Sequence, residues 1–172
     1  MRKISAALSV IATVSLWISG IGLVLMTAIT AWQVFGRYVL NDSPSWSEPT
    51  SVILMGWFIF LGAAVGVREG YHLGFDILLV SLSETPRKVF MTISDLMVIF
   101  FGLGMGWYGW SLAAGTWNDP LPAIGLPTGI SYTPLMLGGL MMAIFSMERI
   151  ALRFSAAAPL VEDEVQQLDT VA

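Results

Sequence analysis

The sequence contains no cysteine and a single histidine, His72, among its 172 residues. Without cysteine there is no disulfide framework, no thiolate metal site and no thiol nucleophile. One histidine excludes a two-histidine haem or metal site within the chain. We therefore expect neither a cofactor nor a bound metal.

Charge is also scarce, because 12% of the residues are charged and 56% are hydrophobic. A soluble domain has about a quarter charged residues, so this chain has too little polar material to cover a water-exposed surface. The formal net charge of -4 comes partly from the C-terminal tail, and nothing suggests nucleic acid. We expect the lipid bilayer to be the main solvent.

Recognisable catalytic motifs are missing as well. The sequence has no G-x-S-x-G, no Walker sequence and no H-E-x-x-H, so we predict that it is not an enzyme. It also lacks the pair of Gly/Pro-broken helices that usually indicates a transporter's substrate site. This combination favours a partner of a transporter over a transporter.

What is present is a set of long apolar runs, at about residues 5–35, 51–67, 89–117 and 132–154. A helix needs about 20 apolar residues to cross a bilayer, and lipid leaves only helices or closed barrels as spanning structures. The runs are continuous rather than alternating, which predicts helices. The first run is too long for the apolar part of a signal peptide.

The predicted fold is therefore all-α and integral to the membrane, with four transmembrane helices. Residues 1–155 form one membrane domain, and residues 156–172 an acidic, flexible cytoplasmic tail. Basic residues favour the cytoplasmic side, and seven of the eight would lie on one side if the chain starts inside, leaving only Arg37 outside. We expect both termini to be cytoplasmic.

Arg37 and Glu48 bracket the outer loop that follows the first helix. Charges close to a bilayer are candidates for function, because they are costly unless they find partners. The two residues could fix this loop against each other or against a partner protein. They could equally form a solvated surface pair, which contributes about 0–1 kcal/mol.

Arg68, His72 and Asp76 are spaced four residues apart, so they would share one face of a helix. Apolar residues between and after them predict a short amphipathic helix in the inner interface, between the second and third spans. His72 could take part in a proton relay, but no second intramembrane titratable group continues one. A structural role is favoured.

Asp95 is an acidic residue inside an apolar run, about two turns into the third span. It could mark an ion path. It could also lie near the inner interface and pair with Arg87 or Lys88, and the sequence leaves both interpretations open.

Small residues recur at the spacing that brings membrane helices into close contact. Gly62-x-x-x-Gly66 lies in the second span, Gly102-x-x-x-Gly106 and Gly109-x-x-x-Ala113 in the third, and Gly138-Gly139 in the fourth. Together they predict close packing, within the chain or against another subunit.

Residues 37–76 carry an ordered set of motifs that resembles a known family, the small permease subunits of tripartite ATP-independent periplasmic (TRAP) transporters, the DctQ-like family. The set comprises Arg37-Tyr38, Trp46-x-Glu48, Trp57-x-x-Phe60-Leu61-Gly62 and Arg68-x-x-x-His72-x-x-x-Asp76. One departure is Pro49, where the family often has a second acidic residue, so any contact of that carboxylate is in doubt.

The resemblance implies a bacterial inner-membrane complex that takes up an anionic organic solute with sodium. Its partners would be a large permease subunit, expected as a separate chain, and a periplasmic substrate-binding protein. Arg37, Trp46 and Glu48 would then order the outer loop, and Arg68, His72 and Asp76 the inner segment. The alternative is a self-contained small oligomeric carrier or channel, for which Asp95 is the nearest candidate group.

Overall fold

The structure, a computed structural model, describes residues 2–70 and 84–154 of the chain. Within those ranges the chain is all-helical and has four helices long and apolar enough to cross a membrane, which confirms the predicted spans. Their bounds are α1 Arg2–Phe35, α2 Ser47–Glu69, α3 Glu84–Gly115 and α4 Thr133–Phe154. The predicted interfacial helix, with His72 and Asp76, and the tail 156–172 lie outside the described residues.

The first three helices are longer than hydropathy predicted, and α4 begins within one residue of its predicted start. A π-helix, Gly36–Leu40, extends α1, and a 3₁₀-helix, Thr128–Tyr132, leads into α4. α2 begins at Ser47 instead of residue 51. A charged residue followed by proline suggests a loop, but Glu48 and Pro49 belong to α2. Proline is tolerated in the first turn of a helix, and an acidic residue is favourable there.

The helices form an open row. Within the described ranges the main packing pairs are α1 with α2, α2 with α4, and α4 with α3. In the most apolar stretch of each span only 22–33% of the residues are buried. Most of the surface of every helix is therefore left for lipid or for another protein.

A small core joins α1, α2 and α4 near the middle of the row. Ala12, Ala64, Val67, Met142 and Phe145 are buried together there. The hydroxyl of Ser19 in α1 donates a 2.7 Å hydrogen bond to the carbonyl of Phe58 in α2. Small side chains on α1 thus let two backbones approach, as expected for membrane helices.

Glycines bring α3 and α4 into close contact. A Cβ added at Gly102 would lie 2.6 Å from the carbonyl oxygen of Gly139, and one at Gly109 would lie 2.7 Å from the amide nitrogen of Met136. The predicted glycine contacts are confirmed at these positions. Gly62 also packs closely, with Ser19 Oγ 3.0 Å from its added Cβ, whereas Gly66 faces open space.

The two ends of the row differ in chemistry. Ser5 near the start of α1 and Leu152 near the end of α4 line one groove, so these helix ends lie together. This end, which we call the charged end, also carries Arg68, Asp95, Glu148, Arg149 and Arg153. The opposite end, the loop end, comprises residues 36–46 and 116–132.

The α3–α4 connection at the loop end contains turns, which its glycines and prolines favour. An isolated bridge joins Pro120 and Pro127, and Leu121 N–H donates to Leu126 O at 2.7 Å. Ala123 and Gly125 have positive φ.

We predict that Gly102→Ala destabilises the chain by about 1–3 kcal/mol relative to Gly104→Ala, because its methyl group must push two backbones apart. Gly104 lies on the same helix with open space beyond its Cα, so both variants gain the same helix propensity. Thermal unfolding in detergent measures the difference. Equal stability of the two variants would contradict close α3–α4 packing through Gly102.

Candidate functional site

Asp95 is the centre of a buried ion cluster between α3 and α4. Its residue surface is 3% exposed. Arg153 Nη2 donates to Asp95 Oδ2 at 2.6 Å, and Arg149 Nε lies 3.6 Å from Asp95 Oδ1. Arg153 Nη1 also donates to Thr92 Oγ1 at 3.0 Å. Arg149 and Arg153 share a helix face because they are four residues apart, and both reach the same carboxylate.

A second ion pair links α2 to α4 at the same end. Arg68 Nε lies 3.2 Å from Glu148 Oε2, and the Arg68 guanidinium lies 5.7 Å from the ring centroid of Phe145. Arg149 donates through Nη1 to the carbonyl of Val67, one of the last in α2. Arg149 therefore connects α2, α3 and α4, since the same side chain faces Asp95.

Glycine ends α2 where Arg149 reaches it. Gly70 has φ +81°, and its N–H bonds to the carbonyls of Gly66 and Val67. This left-handed closure favours glycine. The C-terminal carbonyl groups of α2 carry partial negative charge, and a nearby guanidinium stabilises it.

Both carboxylate oxygens of Asp95 face an arginine side chain. All five charged side chains of the cluster are largely buried. Between 5% and 19% of the side-chain surface is exposed in Arg68, Asp95, Glu148, Arg149 and Arg153. Such charges are tolerated at bilayer depth when they pair with one another. In the described part of the chain, Asp95 forms ion pairs with Arg149 and Arg153 of α4, which the sequence did not indicate.

Sequence reasoning missed Glu148 and assigned Arg149 and Arg153 to orientation only. The available signal was the run Glu148-Arg149-x-x-x-Arg153 at the end of an apolar helix. Three charges within two helical turns at a membrane boundary require partners on neighbouring helices. Which helices supply them depends on the packing of the row.

The outer loop is held by its own backbone. Asp42 N–H donates to Gly36 O at 3.0 Å, and Asn41 adopts a left-handed conformation with φ 52°. A Cβ at Gly36 would lie 2.8 Å from Asp42 O, so glycine permits this return. Ser47, fully buried, donates through its hydroxyl to Pro44 O at 2.7 Å.

This fold leaves the predicted loop side chains facing outward. Arg37, Tyr38, Trp46 and Glu48 are all exposed, and Tyr38 retains 76% of its surface. In the part of the chain that the structure describes, no ion pair joins Arg37 to Glu48. The loop therefore does not close through that pair, and the role of both residues towards a partner stays a prediction.

The remaining predicted residues are divided between α2 and the segment beyond it. Trp57 is half-buried in α2, and Gly62 packs against α1. Arg68 belongs to the charged cluster. The shared face of Arg68, His72 and Asp76 stays a prediction, because the last two residues lie outside the described ranges.

The described ranges contain no group of three or more His, Cys, Asp or Glu residues that could hold a metal ion. Two grooves on the outside of the helix row, one along α1 and one between α1 and α4, are lined almost entirely by apolar atoms. Together with the four long apolar helices, this architecture defines a multi-pass membrane protein.

The chain belongs to the family of tripartite ATP-independent periplasmic transporters, DctQ component, whose model matches residues 26–156. It is accordingly a membrane subunit of a transporter and not an enzyme. The resemblance in residues 37–76 is thereby confirmed.

Individual relatives agree with the family match. The C4-dicarboxylate TRAP transporter small permease protein DctQ of Vibrio cholerae is 28% identical over 93 residues, covering 54% of this chain and 37% of that protein. The sialic acid TRAP transporter small permease protein SiaQ of the same species is 23% identical over 173 residues, covering 97% and 96%.

A third relative is much longer than this chain. The sialic acid TRAP transporter permease protein SiaT of Haemophilus influenzae is 29% identical over 139 residues, which cover 77% of this chain but 21% of that protein. A segment similar to this chain thus occurs there within one large permease polypeptide.

We predict that Asp95→Asn destabilises the chain by about 3 kcal/mol, because two guanidinium groups then remain buried without a carboxylate. Asp119→Asn at the loop end, where the residue is exposed, serves as the matched control. Thermal unfolding in detergent measures both.

In the double variant Asp95→Asn with Arg153→Gln, the loss of unfolding free energy should be smaller than the sum of the losses in the two single variants, because residues in contact are energetically coupled. Strict additivity, or an unchanged melting temperature in Asp95→Asn, would contradict the assigned pairing.

Proposed function

We propose that this chain is the small scaffold subunit of a TRAP-type secondary transporter in the bacterial inner membrane. It supports a large permease subunit during sodium-coupled uptake of an anionic organic solute, which a periplasmic binding protein delivers. The support is mechanical: the chain packs against the large subunit and widens its static part.

The observation that carries this proposal is the pairing of the charges at bilayer depth. A transport pathway needs titratable or ion-binding groups that face a cavity, whereas Asp95 has both carboxylate oxygens directed to arginines. The described grooves are apolar and lie on the outside. Asp95 is therefore better suited to holding helices together than to carrying an ion, and the described outer surface is available to partners.

The open row suits a supporting subunit. A closed four-helix bundle buries one face of every helix, but here α1 and α3 lie at the two edges. Exposed large side chains cover both, including Trp17 on α1 and Phe100 on α3, which are 70% and 83% exposed. In a bilayer such surfaces can meet lipid or the helices of a larger permease without rearrangement.

The long relative supports a permease as the partner. Because a segment similar to this chain is continuous with a permease protein in that polypeptide, the two parts act at fixed stoichiometry there. We infer the same pairing here, with the permease as a separate chain.

The distribution of basic residues supports the orientation. Arg68, Arg149 and Arg153 lie at the charged end with the first turns of α1, and Arg37 lies at the loop end. By the positive-inside rule the charged end faces the cytoplasm. Both termini are then cytoplasmic, and the exposed Arg37–Glu48 loop faces the periplasm, where a binding protein can reach it.

The test is co-expression with a large TRAP permease subunit from the same organism. We expect the two to co-purify at one-to-one stoichiometry and uptake to require both. Full-rate uptake by the large permease alone would contradict the proposal. Uptake by this chain alone in proteoliposomes, abolished by Asp95→Asn, would establish the alternative of a self-contained carrier.

Arg37→Ala and Glu48→Gln should each lower the yield of the complex or the affinity for the binding protein, with insertion unchanged. Both side chains are exposed and have no ion pair in the described part of the chain. Their loss therefore removes partner contacts and, for Glu48, only the small favourable interaction of a carboxylate with the start of α2. Asp42→Asn, an exposed residue of the same loop, is the matched control. If both variants match the unmodified protein in complex yield, binding-protein affinity and uptake, Arg37 and Glu48 are only solvated surface residues.

A further inference from the structure

A groove at the charged end is lined in part by Glu148, and one carboxylate oxygen of Glu148 is buried without a donor among the described residues. The groove has a volume of about 290 Å³ and lies between α1 and α4, lined by Leu8, Ile144, Met147 and Leu152 among others. Glu148 is its one charged lining residue. The Glu148 side chain is 92% buried, and its Oε1 has no hydrogen-bond partner among the described residues.

An unsatisfied carboxylate oxygen is costly in apolar surroundings. Arg68 occupies Oε2 only, so the second oxygen can accept from another donor. The terminal torsion of a glutamate is soft, which allows Oε1 to turn towards a donor that enters along the groove. The position calls for a cationic hydrogen-bond donor attached to an apolar body.

The depth of Glu148 restricts the source of that donor. Glu148 precedes the end of α4 at Phe154 by about 9 Å along the axis, at 1.5 Å per residue. With the end of α4 taken as the level of the membrane surface, the carboxylate lies where acyl chains meet headgroups. Below it the groove is apolar, as an acyl chain requires.

The charge of the cluster favours a zwitterion over a bare cation. Three guanidinium groups already face two carboxylates, so a lysine or arginine from a partner would raise the net charge further. A phospholipid with an ammonium headgroup brings its own phosphate and adds no net charge. An anionic lipid would direct its negative charge at Glu148.

We propose that this groove binds phosphatidylethanolamine from the leaflet at the charged end. The ammonium group donates to Glu148 Oε1, and an acyl chain lies against Leu8, Ile144 and Met147. Glu148 then bridges two cations, Arg68 and the lipid, which ties the edge helix α1 to α4 through the lipid. The site is independent of the proposed function, because it lies within this chain alone.

Native mass spectrometry of the purified full chain tests this, with phosphatidylethanolamine, phosphatidylcholine and phosphatidylglycerol of identical acyl chains. Phosphatidylcholine is the informative comparison, because its quaternary ammonium has the same charge but no N–H. We expect phosphatidylethanolamine to bind about tenfold more tightly than either, as a charge-assisted hydrogen bond allows. Equal affinities for the three lipids would overturn the site.

Two variants address the groove separately. Glu148→Gln removes the charge, and Leu8→Trp fills the groove without altering Glu148; both should abolish the preference for phosphatidylethanolamine. Leu96→Trp, on an exposed position of α3, is the matched control and should retain it. If both groove variants keep the lipid preference but lose the large permease, a permease side chain occupies the groove and the proposal is wrong.

Discussion

Five charged side chains meet at the charged end of the helix row. Hydrocarbon around the helices cannot stabilise an unpaired charge, so these side chains must pair with one another. Arg149 reaches both Asp95 on α3 and the last carbonyls of α2, while Glu148 holds Arg68. Three of the four helices are thereby fixed to one another at a single level. The rest of the row depends on this constraint, because elsewhere in the described ranges the helices meet mainly through small residues, dispersion contacts and the hydrogen bond from Ser19 to Phe58.

The glycine contacts and the ion cluster act together. Gly102 and Gly139 bring the backbones of α3 and α4 close enough for Asp95 to reach two guanidinium groups. Larger residues there would separate the carboxylate from its partners. Close packing in lipid has no hydrophobic driving force, so a few strong polar contacts can decide the arrangement.

Hydropathy predicted the spans, and the motifs in residues 37–76 indicated the family. Both signals consist of residues that are close together in the sequence. Helix ends were less predictable: Ser47 and Glu48 are polar yet helical, and a π-helix carries α1 on to Leu40. The partners of Asp95 were missed because they lie more than fifty residues away along the chain. Such pairing depends on which helices become neighbours, and periodicity does not encode that.

A supporting subunit must keep its shape while its partner moves, and two spin labels test this most directly. The chain has no cysteine, so cysteines introduced at Val10 and Leu96, both exposed and on the two edge helices, would be the only labelled sites on it. The complex with the large permease is measured with and without sodium and solute. A static support predicts one unchanged distance distribution, and a shift of several ångströms between the two conditions would contradict it.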